Sequence, residues 1–131
     1  MRTVLASAWL ERLALLALCA AYIQGGLTKM FDLPAAISEQ VRAGVPLPSV
    51  TAGATIVTEL VGSLLIVVGL WRWLGALWLA GFTLVASFVA NAFWLLPPGA
   101  ERFGTANAFF EHLGLIGGFL TVALVDLRHA R

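Results

Sequence analysis

Apolar residues form four long blocks along the chain, separated by shorter segments that carry most of the charges. Residues 73–100, in the third block, contain no Asp, Glu, Lys or Arg. An uncharged apolar run of this length is typical of a membrane-spanning helix, which needs about 20 residues. The pattern therefore predicts an all-α fold, a four-transmembrane-helix bundle with spans at residues 10–31, 50–70, 74–96 and 106–125.

The composition excludes most water-soluble folds. Of the 131 residues, 60% are hydrophobic and only 11% are charged, which leaves too little polar surface to cover a soluble domain. Four spans of about 20 residues each occupy about 80 residues and leave about 50 for connections and ends. We therefore expect a single membrane domain over residues 1–131, with the lipid bilayer as its first partner.

The charge and the cysteine content narrow the classes of partner. The net charge is +1 and there is no basic run, so we expect no nucleic-acid partner. Cys19 is the only cysteine and cannot form a disulfide within the chain. It lies among apolar residues, where a packing role is expected.

The first apolar block is predicted to be a span and not a cleaved signal peptide, because Glu11 and Arg12 interrupt its start. Lys29 lies near the other end of this span. About 25 Å of helix separates Arg12 from Lys29, so both side chains are expected to reach the lipid headgroups.

The distribution of basic residues predicts the orientation in the membrane. With four spans, both termini and the connection at residues 71–73 lie on one side. That side carries Arg2, Arg12, Arg72, Arg128 and Arg131. The other side carries Lys29, Arg42 and Arg102. The excess favours cytoplasmic termini in the cell inner (cytoplasmic) membrane.

The connections on the other side carry their own helix signals. Asp32 is a possible N-cap, Pro34 fits a first helical turn and Gly44 fits a helix end. These residues predict a short extracytoplasmic surface helix in the first loop. Prolines at residues 97–98 are expected to close the third span, and Thr105 is a possible cap for the fourth.

Glu59 lies near the middle of the second span, about 14 Å along the helix from Val50. A carboxylate facing lipid at this depth costs several kcal/mol, so Glu59 should face the bundle interior, be protonated or have a partner. Two interpretations remain open: a neutral, structural hydrogen-bonding residue, or a carboxylate that handles protons or contacts a ligand.

The third span carries Thr83, Ser87 and Asn91 at four-residue spacing, a polar stripe expected to face inward. Serine and threonine side chains commonly bond to their own helix. Asn91 does so less readily, and it lies beside Phe93 and Trp94, where a ligand headgroup could stack or form a hydrogen bond. Asn91 is therefore a candidate binding residue.

Glu111 and His112 are adjacent in the fourth span, about 100° apart around the helix, so they cannot both point at one site. His112 is a candidate proton carrier at neutral pH, a metal or haem ligand, or a solvated interfacial residue. His129, the only other histidine, lies in the opposite tail. No metal site is therefore expected within one chain.

Several glycines are expected to let helices approach closely or to open a groove for an apolar ligand. They are Gly25, Gly26, Gly62, Gly69, Gly114, Gly117 and Gly118.

Together these segments resemble the DoxX family of small four-helix membrane proteins. The resemblance rests on the glycine and lysine motif at residues 25–32, residues 45–48, residues 59–62, residues 69–72 and the glycine-rich segment at residues 107–118. It implies a four-helix membrane fold. It also implies association with oxidoreductase systems, including thiosulfate oxidation that delivers electrons to quinone.

Two hypotheses for function follow, and whether the chain is an enzyme stays open. In the first, the chain is a membrane subunit associated with an oxidoreductase system. Lys29, Asn91 and His112 bind a quinone-like or other small apolar ligand, Glu59 handles protons, and Glu111 is a further candidate. Quinone is then the one expected cofactor, without covalent attachment, and a partner redox protein supplies the electrons.

In the second hypothesis, the chain is a non-catalytic anchor or assembly factor for a partner protein or a second copy, and its polar residues are structural.

Overall fold

The computed structural model describes residues 7–129, so Arg2 and Arg131 of the orientation count lie outside the described residues. The described part is helical, with no β-strand between residues 7 and 129. The helices are α1 (Ala8–Phe31), α2 (Leu33–Arg42), α3 (Pro48–Val68), α4 (Arg72–Ala90) and α5 (Ala100–His129). A 3-10 turn, Phe93–Leu95, lies between α4 and α5.

Four segments are long and apolar enough to cross a membrane, as the hydropathy pattern predicts. They are α1, α3, α5 and a segment at Arg72–Leu95 that combines α4 with the 3-10 turn. Because these helices would expose a largely apolar surface to water, the chain is a multi-pass membrane protein with a lipid environment.

Two predicted helix ends are wrong. The third span does not continue as helix to residue 96: α4 ends at Ala90, and Asn91 is its C-cap. The last backbone bond of α4 runs from Asn91 to Ser87, and Phe93 then bonds back to Asn91 in a tighter turn. The fourth helix begins at Ala100 and not at residue 106, so Thr105 lies inside it and is not a cap.

The predicted helix in the first loop forms as α2. Asp32 Oδ1 accepts a hydrogen bond from the Ala35 backbone N–H at 3.3 Å, as expected of an N-cap. Beyond the C-terminus of α2, Gly44 adopts a φ of +73°, a conformation that favours glycine. α2 packs against α3 and buries Ala36. Its position on the membrane surface stays a prediction.

Close helix contacts depend on only some of the glycines. A Cβ added to Gly75 would lie 2.8 Å from the backbone oxygen of Gly62, so α3 and α4 approach nearly to backbone contact. A Cβ on Gly26 would lie 2.7 Å from Leu60, where α1 crosses α3. The expectation of close packing is wrong within this chain for Gly114 and Gly117, because nothing lies within 4 Å of a Cβ added at either.

The bundle is packed unevenly. α1 packs on α3, α3 on α4, and α4 on α5, whereas α5 touches α1 only slightly. Cys19, Ile66, Leu79 and Phe119 form the fully buried centre, which confirms the packing role of Cys19. We call the end of the bundle that holds the first turn of α1 and the last turn of α5 the terminal end.

Candidate functional site

Lys29 and Glu59 form an ion pair between α1 and α3. Lys29 Nζ donates a hydrogen bond to Glu59 Oε1 at 2.7 Å. Glu59 is only 6% exposed, so its side chain faces the bundle and not the acyl chains, as its depth in the span requires. The expectation that Lys29 reaches the headgroups is wrong, because the ammonium instead turns inward and compensates the buried carboxylate.

Gly25 makes room for this ion pair. It lies one helical turn before Lys29, on the same face of α1. A Cβ added to Gly25 would lie 3.0 Å from Glu59 Oε2 and 3.4 Å from Lys29 Nζ. Any side chain here would crowd both charged groups, so glycine is what lets α3 bring its carboxylate against α1.

Asn91 and His112 form a second polar pair, between the end of α4 and α5. Asn91 Nδ2 lies 3.0 Å from His112 Nδ1. An amide NH₂ group donates, so His112 Nδ1 is the acceptor in this contact, and Nε2 is left for another partner. Because α4 ends at Ala90, Asn91 lies at the end of the helix, and its side chain reaches His112 on α5.

An aromatic cluster fixes the chain on either side of this pair. Phe93 stacks edge-on against Phe109, with ring centroids 5.5 Å apart. Trp94 does the same at 5.6 Å. The cluster consists of Phe88, Phe93, Trp94, Phe109 and Phe110. Its rings pack on one another, so the turn after α4 is held against α5.

Both polar pairs line one partly open cavity of about 300 Å³ between the helices. Its polar lining consists of Tyr22, Lys29, Glu59, Thr83, Asn91 and His112. Its apolar lining consists of Ala21, Phe82, Ala86, Ala90 and Leu115. The cavity thus joins side chains from α1, α3 and α5 with α4 and its C-cap.

Tyr22 is the site residue that the sequence analysis missed. Its hydroxyl forms a hydrogen bond with Thr83 Oγ1, and the side chain is buried. Tyr22 lies seven residues before Lys29, about two helical turns, and is the only tyrosine in the chain. This two-turn spacing from Lys29 was the sequence signal that could have identified Tyr22 as a site residue. Ser87 bonds to the Thr83 carbonyl of its own helix, as expected.

Glu111 does not join the cavity. It is exposed on the outer side of α5, whereas the adjacent His112 lines the cavity. This arrangement agrees with their angular separation on the helix. Phe93 and Trp94 also stay outside the lining, since their rings pack in the aromatic cluster.

The cavity presents few but varied polar groups. Lys29 and Tyr22 supply an ammonium and a hydroxyl, and Glu59 supplies an acceptor. No group of three or more His, Cys, Asp or Glu residues within residues 7–129 could hold a metal ion. A small set of polar groups in a mostly apolar cavity is the usual arrangement for binding a small molecule with one polar end.

The four long apolar helices and the cavity between them define a multi-pass membrane protein of the four-helix class. The DoxX family profile matches residues 12–92, and the chain belongs to the DoxX family. The match covers α1 to α4 and ends just after Asn91, so the resemblance at residues 107–118 lies outside it. No curated protein and no solved structure matches the chain.

Proposed function

We propose that this protein is an integral membrane subunit of an oxidoreductase system and that its cavity binds a quinone-like ligand. The observation that supports this proposal is the convergence of Lys29, Glu59, Asn91 and His112 on one cavity. These are four of the candidate positions that the sequence singles out. The proposal includes the predicted orientation, with both termini cytoplasmic in the inner membrane.

The size and lining of the cavity fit a quinone headgroup. Its volume of about 300 Å³ lies at the lower end of ligand cavities, which span about 300–1,000 Å³. A quinone ring has apolar faces and two carbonyl oxygens that accept hydrogen bonds. Phe82 and Leu115 offer apolar walls, and Lys29 and His112 offer donors on two different helices.

The Lys29–Glu59 pair gives the cavity a place to hold a proton. A quinone, when bound, supplies two-electron, two-proton chemistry. Lys29 Nζ lies at the cavity wall as a proton donor, and its hydrogen bond to Glu59 orients it. Asn91 holds the His112 ring in place through Nδ1. In this proposal the electrons come from a partner redox protein.

The test is equilibrium binding of a short-chain benzoquinone to the purified protein in lipid nanodiscs, with empty nanodiscs as the partition control. Loss of one hydrogen bond costs about 1 kcal/mol, so Lys29→Gln and His112→Ala should each weaken binding about 5- to 10-fold. Glu111→Gln is the matched control, because Glu111 adjoins His112 but lies outside the cavity. Its affinity should equal that of the parent.

Two outcomes would contradict the proposed ligand. One is a signal no larger than in empty nanodiscs. The other is saturable binding that Lys29→Gln and His112→Ala both leave unchanged.

The second candidate function is a non-catalytic anchor or assembly factor. It is favoured by Gly114 and Gly117, which leave open space on the outer side of α5. Small residues on an exposed transmembrane face allow another helix to approach closely. If this function holds, Gly114→Leu should abolish co-purification of a stoichiometric partner, whereas Glu59→Gln should retain it. A partner retained by Gly114→Leu and lost with Glu59→Gln would contradict it.

A further inference from the structure

A second cavity lies at the terminal end of the bundle, opposite the Asn91 and His112 pair. Its volume is about 210 Å³, and it occupies the gap where α1 and α5 fail to pack on each other. Its apolar lining consists of Ala14, Leu15, Val122 and Val125. An apolar gap between two transmembrane helices, open at the end of the bundle, has the shape and polarity for an acyl chain.

Ionisable side chains surround this apolar lining. They come from three helices: Glu11 from α1, Arg72 from α4, and Asp126 and His129 from α5. Glu11 lies in the first turn of α1, and His129 is the last residue of α5. Charges at helix ends lie at the depth of the lipid headgroups when the helices span a bilayer.

Among residues 7–129, the rim has two carboxylates, Glu11 and Asp126, and one arginine, Arg72. Arg72 Nη1 donates to Glu11 Oε1 at 3.2 Å, so these two charges compensate each other. Asp126 Oδ2 accepts the backbone N–H of Trp73 at 3.0 Å. Within residues 7–129, no lysine or arginine forms an ion pair with Asp126. In the described part of the chain, the rim therefore places no lysine or arginine against Asp126.

Arg72 supplies the complementary donors. Its Nε donates to the Ile66 carbonyl at 2.7 Å, and its Nη1 donates to Glu11. A guanidinium has five N–H donors, so further donors remain for an anionic oxygen. The rim thus offers a carboxylate that has no lysine or arginine partner among residues 7–129, and a guanidinium with spare N–H groups, set above an apolar gap.

We propose that this cavity binds a membrane phospholipid that carries a primary ammonium headgroup, as in phosphatidylethanolamine. The ammonium pairs with Asp126, the phosphate faces Arg72, and one acyl chain lies along Leu15, Val122 and Val125. This inference does not rest on the quinone proposal, since the two cavities share no lining residue.

The charge pattern separates this lipid from other common lipids. Phosphatidylglycerol has the phosphate but no ammonium to compensate Asp126. Phosphatidylcholine has a positive charge but no N–H on its methylated nitrogen, so it cannot donate a hydrogen bond to the carboxylate. Retention should therefore follow the order phosphatidylethanolamine, phosphatidylcholine, phosphatidylglycerol.

The experiment is native mass spectrometry of the protein released from nanodiscs that contain these three lipids in equal amounts. The unsubstituted protein should retain phosphatidylethanolamine about fivefold over phosphatidylcholine, which corresponds to about 1 kcal/mol, the net contribution of one hydrogen bond. Equal retention of the three lipids would overturn the proposal, and this comparison needs no variant.

Asp126→Asn tests the role of the carboxylate. Asparagine keeps an oxygen for the Trp73 N–H but removes the charge, so the preference should fall towards equal retention. Glu101→Gln is the matched control, because Glu101 is an exposed carboxylate outside this cavity, and it should keep the fivefold preference. An unchanged preference with Asp126→Asn would contradict the proposal.

Ala14→Trp tests the cavity itself without changing a charge. Ala14 is exposed and lines the gap, so an indole here should fill it. The variant should lose the retained phospholipid while its thermal unfolding stays close to that of the parent. The same number of retained lipids on Ala14→Trp would place them elsewhere on the protein and overturn the proposal.

Discussion

Lys29 Nζ and Glu59 Oε1 lie 2.7 Å apart, joining α1 to α3 at the wall of the internal cavity. The side chain of Glu59 is 7% exposed and that of Lys29 is 22% exposed. A carboxylate in the middle of a span needs a compensating group, and Lys29 is that group. The same contact therefore stabilises the bundle and puts an ammonium at the cavity.

Removing one partner of this pair should destabilise the protein more than removing both. Lys29→Met leaves Glu59 buried without a cation and should lower the free energy of unfolding by about 3 kcal/mol. Lys29→Met with Glu59→Leu should recover most of that loss, since no charge stays buried. Unfolding in mixed detergent micelles measures both. A double variant no more stable than Lys29→Met would contradict a compensating ion pair.

The close crossing of α3 and α4 makes Gly75 sensitive to substitution. Its Cβ would meet the backbone oxygen of Gly62 at 2.8 Å, and backbone cannot move aside as a side chain can. Gly75→Ala should lower the free energy of unfolding by about 1–3 kcal/mol. Gly81→Ala is the control on the same helix, because nothing lies within 4 Å of its added Cβ. Thermal unfolding distinguishes them, and equal loss in both variants would rule out the crossing as the cause.

Asp126 caps α4 from another helix. Trp71, the residue before α4, provides no side-chain cap, and Asp126 Oδ2 instead accepts the Trp73 N–H. Asp126→Ala should therefore cost about 1 kcal/mol of stability. Asp126→Asn should stay near the parent, because its amide oxygen still accepts. If both variants lost the same stability, the charge of Asp126 and not this hydrogen bond would be responsible.

The predicted orientation is testable with single cysteines. Cys19 is fully buried, so the parent should react little with a membrane-impermeant maleimide. Ser38→Cys on the exposed side of α2 should be labelled in intact cells, and Arg128→Cys at the end of α5 should be labelled only after permeabilisation. The reverse pattern would place both termini outside.

Part of this arrangement could be predicted from the sequence, because membrane physics acts on single residues. A carboxylate at the middle of a span is costly when it faces lipid, so the inward direction of Glu59 followed from its position alone. The cap at Asp32 was predictable for a similar reason, since it depends only on local residues. The DoxX resemblance was confirmed over residues 12–92.

Other features depend on contacts between helices and leave little trace in the sequence. Helix α4 ends at Ala90 within an uncharged run, where Asn91 turns to His112 and Phe93 packs on Phe109. The hydropathy pattern does not show that the helix ends there. In the sequence, Tyr22 resembles one more apolar residue of the first span. Only the position of Thr83 shows that its hydroxyl has a hydrogen-bond partner.

Photoaffinity labelling with an azido-benzoquinone, followed by peptide mapping, locates the proposed ligand most directly. Labelling should fall on residues of the internal cavity, such as Tyr22, Phe82 and Leu115, and excess unlabelled quinone should suppress it. The exposed residues Leu64 and Val85 should carry no protected label. Label spread over such lipid-facing positions, unaffected by competing quinone, would show that the cavity is not a quinone site.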